Sequence, residues 1–510
     1  MTTRRALFTG MAAAAGLAML PAEAAETAEV VVDPQRPGHA IDPRFFGSNL
    51  QWEKDGDGAR TAQGWAPGLL EQLRASRIAS LRFPGGDLAN TYRWKHGIGA
   101  HDKRIAGLNY GGKAEASSFG TDEFIALCRQ AQLEPVITVN PTAGADEAAD
   151  WVEYLNGSLS TPWGARRIAN GSAQPLNALW WEVGNETFNP KQPGFAGAED
   201  YARRFLAYRR AMKARDPDIR VGLVLEGTFL QAAWMASVYP HMLTWNEAVL
   251  KVAGGEADFV SVHFYAPHDK VWRDAELHRI VMAGSGVLST NLEAIRTLLK
   301  RHARPDTPIL LSEYGLAFAD KFRPSDRIAS TESGLFAASV LLRAMAEPQV
   351  LRTHHWSLLN NSAYGALVAD GDRLKRRPVF DAIALMALLA PGRWLPLRAT
   401  GPSYEVRAIG NIAASGQVPV IEAGATLQAD GSVRVALANR SADKPVRVIL
   451  RSGAAAGSAT AQLLAGGEVA AEAWRPAKLV LPAAAERWEI ELPAASLAMV
   501  ALPALKGAAR

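Results

Sequence analysis

Between residues 45 and 390, short β-rich runs alternate with amphipathic helical stretches, and this alternation constrains the fold more than any other feature of the chain. Predicted strands cover 45–50, 80–84, 135–140, 179–183, 221–225, 259–265, 309–313 and 351–356. Helical patterns fall between them and after the last, at 67–76, 121–132, 146–156, 198–215, 244–253, 292–302, 331–346 and 380–389. In 198–215, Tyr201, Phe205, Tyr208 and Met212 recur at spacings of four, three and four, which puts them on one helical face. Eight such units predict a closed (β/α)8 TIM barrel. An open doubly wound sheet would more often begin with a glycine-rich phosphate turn, and none follows the first strand.

The texture changes after Pro391-Gly392. Residues 391–510 carry short alternating runs at 433–438, 446–450, 479–481 and 488–492, punctuated by Gly, Asp, Pro and Ser, as in an antiparallel β-sandwich. Residues 25–44 hold an orphan strand, Val30 to Val32, expected to join that sandwich. Residues 1–24 read as an export signal: Arg4-Arg5, an apolar run over 6–20, then Ala22 and Ala24 framing a small-residue cleavage site. The run is shorter than the ~20 residues that a membrane span needs. The adjacent arginines, with Leu7 and Phe8 after them, are of the twin-arginine type and predict a periplasmic or secreted protein.

Composition narrows the function classes. The chain of 510 residues is 48% hydrophobic and 21% charged, an ordinary globular balance. Its net charge of +4 is scattered, with no run of five or more like charges, so no nucleic-acid partner is expected, nor a membrane partner once the signal is removed. The lone cysteine, Cys128, recurs with Phe124, Ile125, Leu127 and Ala131 at helical spacing and reads as a buried small hydrophobe.

In a TIM barrel the active site lies at the carboxyl ends of the strands. There the fourth strand ends in Trp180-Trp181-Glu182-Val183-Gly184-Asn185-Glu186, and the seventh in Leu310-Leu311-Ser312-Glu313-Tyr314-Gly315. Two glutamates on different strands are what glycosidic cleavage requires: one protonates the leaving oxygen, the other attacks or supports the anomeric carbon. Asn185 is placed to bond a sugar hydroxyl, and Trp and Tyr supply flat faces for sugar rings.

With these residues in view, the chain resembles the clan A glycoside hydrolases, and within them family 51, typified by α-L-arabinofuranosidases. The likeness rests on Phe45-Phe46-Gly47 after an orphan strand, Leu81-Arg82-Phe83-Pro84-Gly85-Gly86, Tyr92-Arg93-Trp94, Trp181 with Gly184-Asn185-Glu186, and Val262-His263-Phe264-Tyr265. It implies Glu186 as acid/base, Glu313 as nucleophile, and no cofactor or metal. It also implies a carboxy-terminal sandwich completed by the amino-terminal strand. Two positions depart from the family pattern. Asp87 stands where the family has an asparagine, and the family's early glutamate has its equivalent somewhere from Asn49 to Glu53. The Ser312-Glu313-Tyr314-Gly315 string is closer to endoglycanases of the same clan.

Arg82 is expected either to support the ionised nucleophile or to pair with a core carboxylate. His263 and Tyr265 share a strand face and suit hydrogen bonds to a sugar or to Glu313. Trp356 is expected to floor the sugar subsite; Asn49, Asp87, Tyr314 and Glu226 are expected to contact substrate. Glu182, four residues before Glu186, reads as a deeper structural carboxylate with Arg82 as a possible partner. His354 and His355 point opposite ways and form no metal pair alone. Asp55-Gly56-Asp57-Gly58 lacks the rest of a calcium loop and reads as a plain polar loop. The long segment 95–118 is expected to wall the cleft.

The expected function is an exported retaining glycosidase, most like an α-L-arabinofuranosidase, in which surroundings keep Glu186 protonated and Glu313 forms a glycosyl-enzyme. The alternatives are an endo-acting β-glycanase of the same clan and, in a different class, a non-catalytic carbohydrate-binding protein on the same barrel.

Overall fold

The computed structural model describes residues 26–504 apart from 231, 233, 269–275, 319–324, 360–361, 454–456 and 483–486. The export signal expected at 1–24 lies outside the described residues. Among those described, no helix is long and apolar enough to cross a membrane.

Eight parallel strands close into a barrel: β1 (Phe46–Asn49), β2 (Ser80–Phe83), β3 (Glu134–Val139), β4 (Trp180–Val183), β5 (Arg220–Val224), β6 (Phe259–Pro267), β7 (Ile309–Ala317) and β8 (Val350–His355), with β8 pairing back to β1. The floor of the barrel is an apolar cluster of Val136, Trp180, Phe259 and Leu310, one residue from each of four strands. Gly222 makes room for it, since a Cβ there would meet the Phe259 ring at 2.2 Å. Two residues further along β4, on the same strand face, the filling turns polar with Glu182.

Helices tie down the strand ends that carry chemistry. The helix Ala198–Arg215 buries Tyr201, Phe205, Tyr208 and Met212, as their spacing predicts. Its Tyr201 hydroxyl donates to Val183 O (2.9 Å) and accepts from Val224 N (3.0 Å), clamping β4 to β5. Tyr208 does the same for the end of β3, donating to Asn140 O (3.0 Å) and accepting from Gly144 N (2.8 Å).

Two features of the helical layer differ from the sequence expectation. The helix predicted at 292–302 begins far earlier, at Leu277, and runs to His302. Gly284-Ser285-Gly286 lowers local helix propensity, but packing overrides it: a Cβ on Gly284 would meet Ala266 at 2.9 Å. A further helix, Pro162–Ala169, was not foreseen; Pro162 opens it and the Thr161 hydroxyl caps it at Gly164 N.

The carboxy-terminal part forms a seven-stranded sheet facing a four-stranded one. The strand Glu26–Val32 lies inside the smaller sheet, parallel to Val446–Ser452 and antiparallel to Leu397–Thr400. Ala28, Val30 and Val32 thereby join the sandwich core with Val448, Leu450 and Trp488. The architecture is a TIM barrel with a β-sandwich.

Candidate active site

A buried cation organises the top of the barrel. Arg82, inaccessible to solvent, donates from Nε to Glu182 Oε2 (2.8 Å) and from Nη1 to Glu313 Oε1 (2.9 Å). It also donates from Nη1 to Asn49 Oδ1 (2.9 Å) and from Nη2 to Asn185 Oδ1 (3.0 Å). Arg82 thus pairs with the core carboxylate Glu182 and with Glu313 at once. A guanidinium can do this because its planar fork offers five donors in fixed directions.

Glu313 reaches the cleft through an irregularity in β7. Val262 pairs with Leu311 but His263 pairs with Glu313, so Ser312 is an extra residue in the ladder. Such bulges re-aim side chains next to active sites. Here the result sets Glu313 Oε2 2.6 Å from the donating Tyr265 hydroxyl and 3.6 Å from His263 Nδ1.

Glu186 sits where β4 gives way to a turn. Gly184 (φ 87°) and Glu186 (φ 44°) are both left-handed, and for a glutamate this is a strained conformation that surrounding contacts must hold. Asn90 supplies them: its Oδ1 accepts from Asn185 N (2.8 Å) and its Nδ2 donates to Asn185 O (2.7 Å). Glu186 Oε1 lies 3.0 Å from His263 Nδ1, and Asn189 Nδ2 donates to Oε2 at 3.4 Å. His263 therefore bridges the two glutamates. One ligand atom from each of Glu186, His263 and Glu313 falls within 4.8 Å of the others, a set that could also hold a cation.

The electrostatics alter one expectation. Burial raises the Glu186 carboxyl, but the hydrogen bond and charge of His263 outweigh it, and Glu186 is held below its ordinary value. Burial lowers the imidazole of His263, yet the Glu313 charge and the Glu186 hydrogen bond raise it overall. The two groups thus shift in opposite directions, Glu186 toward its ionised form and His263 toward its protonated form, where the sequence reading had expected the surroundings to favour a protonated Glu186. Asp87 is pushed up to about 6 by burial and by the charge of Glu186. Glu226, wholly buried, is pushed up to about 7 by desolvation against the bonds it accepts from Thr228 N and Phe229 N.

The remaining sequence candidates divide by burial. Asp87 stands on the cleft wall, open to solvent on one side while its carboxylate is crowded by protein on the other, accepting from Gln192 Nε2 and, at 3.5 Å, from Asn185 Nδ2. Trp356 is half-buried and lies on Gly85-Gly86, where a Cβ on Gly86 would meet its ring at 2.3 Å; Gly86 also has φ +70°. Asn49 is fully buried beneath the cleft, donating to Ser312 O (3.0 Å) and holding Arg82, so it supports the site without lining it. Tyr314 was expected near the substrate, but it follows Glu313 on the strand and takes the opposite face, buried in the core edge-to-face with His355. Glu226 likewise has no exposed surface and its backbone is clamped by Asn246, so it lies behind the cleft wall.

Three contributors were not foreseen. Asn90 carries no motif signal beyond its place after Gly85-Gly86. Tyr110 lies between the paired segments Gly107–Leu108 and Ala114–Glu115, within the 95–118 segment, and its hydroxyl accepts from Asp87 N at 3.3 Å. Asn411, from the sandwich side, donates to Tyr265 O (2.7 Å) and Thr228 O (3.0 Å). A contact between distant parts of the chain leaves no local pattern to read. In the Asp55-Gly56-Asp57-Gly58 loop, Asp55 Oδ1 accepts from Ser118 N and Asp57 is buried.

Comparison with known proteins places this geometry. Residues 71–278 match the α-L-arabinofuranosidase 1 domain. Over 209 residues the chain is 34% identical to α-L-arabinofuranosidase C of Emericella nidulans, covering 40% of this chain and 41% of that protein. Over 257 residues it is 31% identical to an intracellular exo-α-(1→5)-L-arabinofuranosidase of Streptomyces lividans, covering 48% and 38%. The matched stretch thus spans about two fifths of these relatives' length. In fold the likeness extends much further. The α-L-arabinofuranosidase of Thermotoga maritima superposes with TM-score 0.80 at 24% identity, covering 93% of this chain and 99% of that one. A family 51 enzyme of Bifidobacterium longum superposes with TM-score 0.81 at 23% identity, covering 94% and 100%. What the chain resembles, in sequence across residues 71–278 and in fold across nearly its whole length, is a family 51 arabinofuranosidase of clan A.

Proposed function

We propose that the protein is a retaining glycoside hydrolase that releases α-L-arabinofuranosyl groups from a polysaccharide or oligosaccharide. One observation carries the reading. Glu186 and Glu313 flank His263, and one oxygen of each carboxylate lies within 4.8 Å of the other, a nearest approach in keeping with the shorter of two known separations. Retaining pairs stand ~5 to 5.5 Å apart and inverting pairs ~6.5 to 9.5 Å, because an inverting enzyme must fit a water between carboxylate and sugar.

In this scheme the Arg82 guanidinium and the Tyr265 hydroxyl, both bonded to the Glu313 carboxylate, hold it and aim it. Glu313 attacks the anomeric carbon as the glycosidic bond breaks, and the Glu186–His263 pair delivers its proton to the departing oxygen. Glu186 then takes a proton from water, whose hydroxide displaces Glu313 and frees the sugar. Asp87, exposed in the cleft, accepts a sugar hydroxyl, and Trp356 floors the ring.

Azide distinguishes the two roles. With a 4-nitrophenyl arabinofuranoside, Glu186→Ala is expected to be rescued by azide, giving the glycosyl azide with retained configuration. Glu313→Ala should give the azide with inverted configuration. A Glu313→Gln variant with undiminished turnover would overturn the assignment.

We also infer export through the twin-arginine route, resting on Arg4-Arg5, the apolar run after them and the Ala22/Ala24 site. Lysine substitution of both arginines should leave the precursor in the cytoplasm. Amino-terminal sequencing of the exported form should begin near Ala25.

A further inference from the structure

A groove of about 340 Å³ runs along the seam between the barrel and the sandwich and shares no lining residue with the catalytic cleft. The helix Leu277–His302 forms one wall with Ala283, Val287 and Thr290, and the segment 412–419 forms the other with Ile412, Gln417 and Val418. The volume lies within the range of small-molecule sites. Gly286 keeps the groove open, since a Cβ there would meet nothing within 4 Å.

Both walls reach the reacting groups. One turn beyond Val287 on the helix, Asn291 Nδ2 donates to Gly227 O (2.8 Å) and Thr228 O (3.4 Å). From the other wall Asn411, next to Ile412, donates to Thr228 O (3.0 Å) and Tyr265 O (2.7 Å). The two amides thus meet on one carbonyl. Thr228 in turn donates from Oγ1 to His263 O (3.1 Å) and accepts from Tyr265 N (3.3 Å), so it is bonded to the strand that serves both glutamates.

Charge selects the occupant. Arg343 and Arg440 both line the groove and share a single carboxylate, with Arg343 Nε 2.7 Å from Glu422 Oε1 and Arg440 Nη1 3.0 Å from Glu422 Oε2. Among the described residues no acidic side chain lines the groove, which leaves one positive charge in excess. Arg440 is 1% exposed and its Nε has no hydrogen-bond partner. A charged acceptor is the strongest partner for a guanidinium. Beside these cations the lining includes Met282, Val287, Ile412 and Val418, an aliphatic surface that suits an apolar body better than a ring of hydroxyls.

We propose that this groove is an effector site for a small organic carboxylate with an apolar body, and that its occupation raises turnover by holding Asn291 and Asn411 against the catalytic strand. A ligand packed on both walls restrains them together, and the two amides carry that restraint to Thr228 and Tyr265.

Calorimetry on the full chain with cinnamate tests the site without reference to catalysis. Cinnamate should bind saturably and cinnamamide, which has the same shape without the charge, about tenfold more weakly. Arg343→Gln should erase that difference, and Gly286→Leu, which fills the groove, should abolish binding without lowering Tm or basal kcat. Saturating cinnamate should raise kcat on 4-nitrophenyl arabinofuranoside about threefold. Asn411→Ala should bind cinnamate as tightly yet show no such rise. No binding, equal binding of the amide, or binding that survives Gly286→Leu overturns the site. Binding with kcat unmoved or lowered, or a rise that persists in Asn411→Ala, overturns the effector role. If the glycoside is not cleaved at all, the hydrolase reading fails, and calorimetry alone decides the site.

Discussion

Two glutamates on neighbouring sides of one imidazole make His263 the residue on which proton traffic in the cleft turns. With His263 present, its hydrogen bond and charge hold Glu186 down against a burial effect of opposite sign. His263→Asn removes both, leaving burial opposed only by the Asn189 bond and the charge of His268. The Glu186 carboxyl should then rise, and the alkaline limb of the kcat/KM profile, which reports loss of the acid, should move to higher pH. An unmoved limb would show that the proton donor is not coupled to His263. Asp57 permits a second test, on stability. Its carboxyl is 8% exposed, its Oδ2 has no hydrogen-bond partner, and burial followed by the charge of Glu53 pushes it up to about 7. Because the folded value lies above the ordinary 3.8, the folded state binds more protons than the unfolded state from about pH 4 to pH 7, so stability falls as pH rises through that window. Asp57→Asn, which keeps a left-handed φ of 54° tolerable, should therefore stabilise the protein by roughly 2 to 4 kcal/mol at pH 8 and by little near pH 4. Denaturation at the two pH values checks it. Most of the charged centre was legible in sequence: Glu186 and Glu313 by strand position, and Glu182 with Arg82 by the strand period. The pull of His263 on the Glu186 carboxyl was not legible, because it depends on distances of 3.0 and 3.6 Å between strands that sequence does not fix.

At the scale of elements, strand positions were readable because each strand is a short apolar run between turn residues. The irregularities that aim the chemistry were not. The extra residue Ser312 reads as ordinary strand, yet its presence sets Glu313 opposite His263, while Tyr314 is turned into the core. The turn carrying Glu186 is similar: Gly184 announces a bend, but what holds the strained residue after it is Asn90, nearly a hundred positions earlier. Asn90→Ala would leave the Asn185 N–H and carbonyl unpaired in a buried site, costing about 1 to 3 kcal/mol of stability. It would also free Glu186 to relax from φ 44°. A displacement of about 1 Å suffices to lose ~100-fold in rate. We therefore expect kcat to fall by about 10- to 100-fold with a much smaller change in KM; a KM effect alone would assign Asn90 to binding instead. The long helix Leu277–His302 repeats the lesson in packing, since its Gly284 sits where Ala266 and Phe336 leave no room for a Cβ.

For the whole molecule, the barrel and sandwich were separable in sequence by texture alone, but the structure joins them into one cooperative body. The main core cluster runs without a break from the barrel into the sandwich, taking in Ala436, Ala438, Trp474, Leu497 and Met499. Trp474 donates to Pro378 O at 2.7 Å and occupies the space left by Gly334 on a barrel helix. Asn411, fully buried, extends that union to the cleft by holding the carbonyls of Tyr265, whose hydroxyl orients Glu313, and of Thr228, which lines the pocket beside Glu186. Exposing an apolar interface of this kind is unfavourable in proportion to its area, so neither part has reason to survive the loss of the other. Calorimetry of the intact protein should accordingly show one unfolding transition; two resolved transitions would mean that the parts are independent. Asn411→Ala should lower kcat by about tenfold, since two backbone carbonyls beside the reacting groups lose their shared donor. The loss should appear with every leaving group, because Tyr265 acts on the nucleophile, which every substrate shares. A defect confined to bulky leaving groups would instead place the effect of Asn411 at Thr228, the other carbonyl it holds.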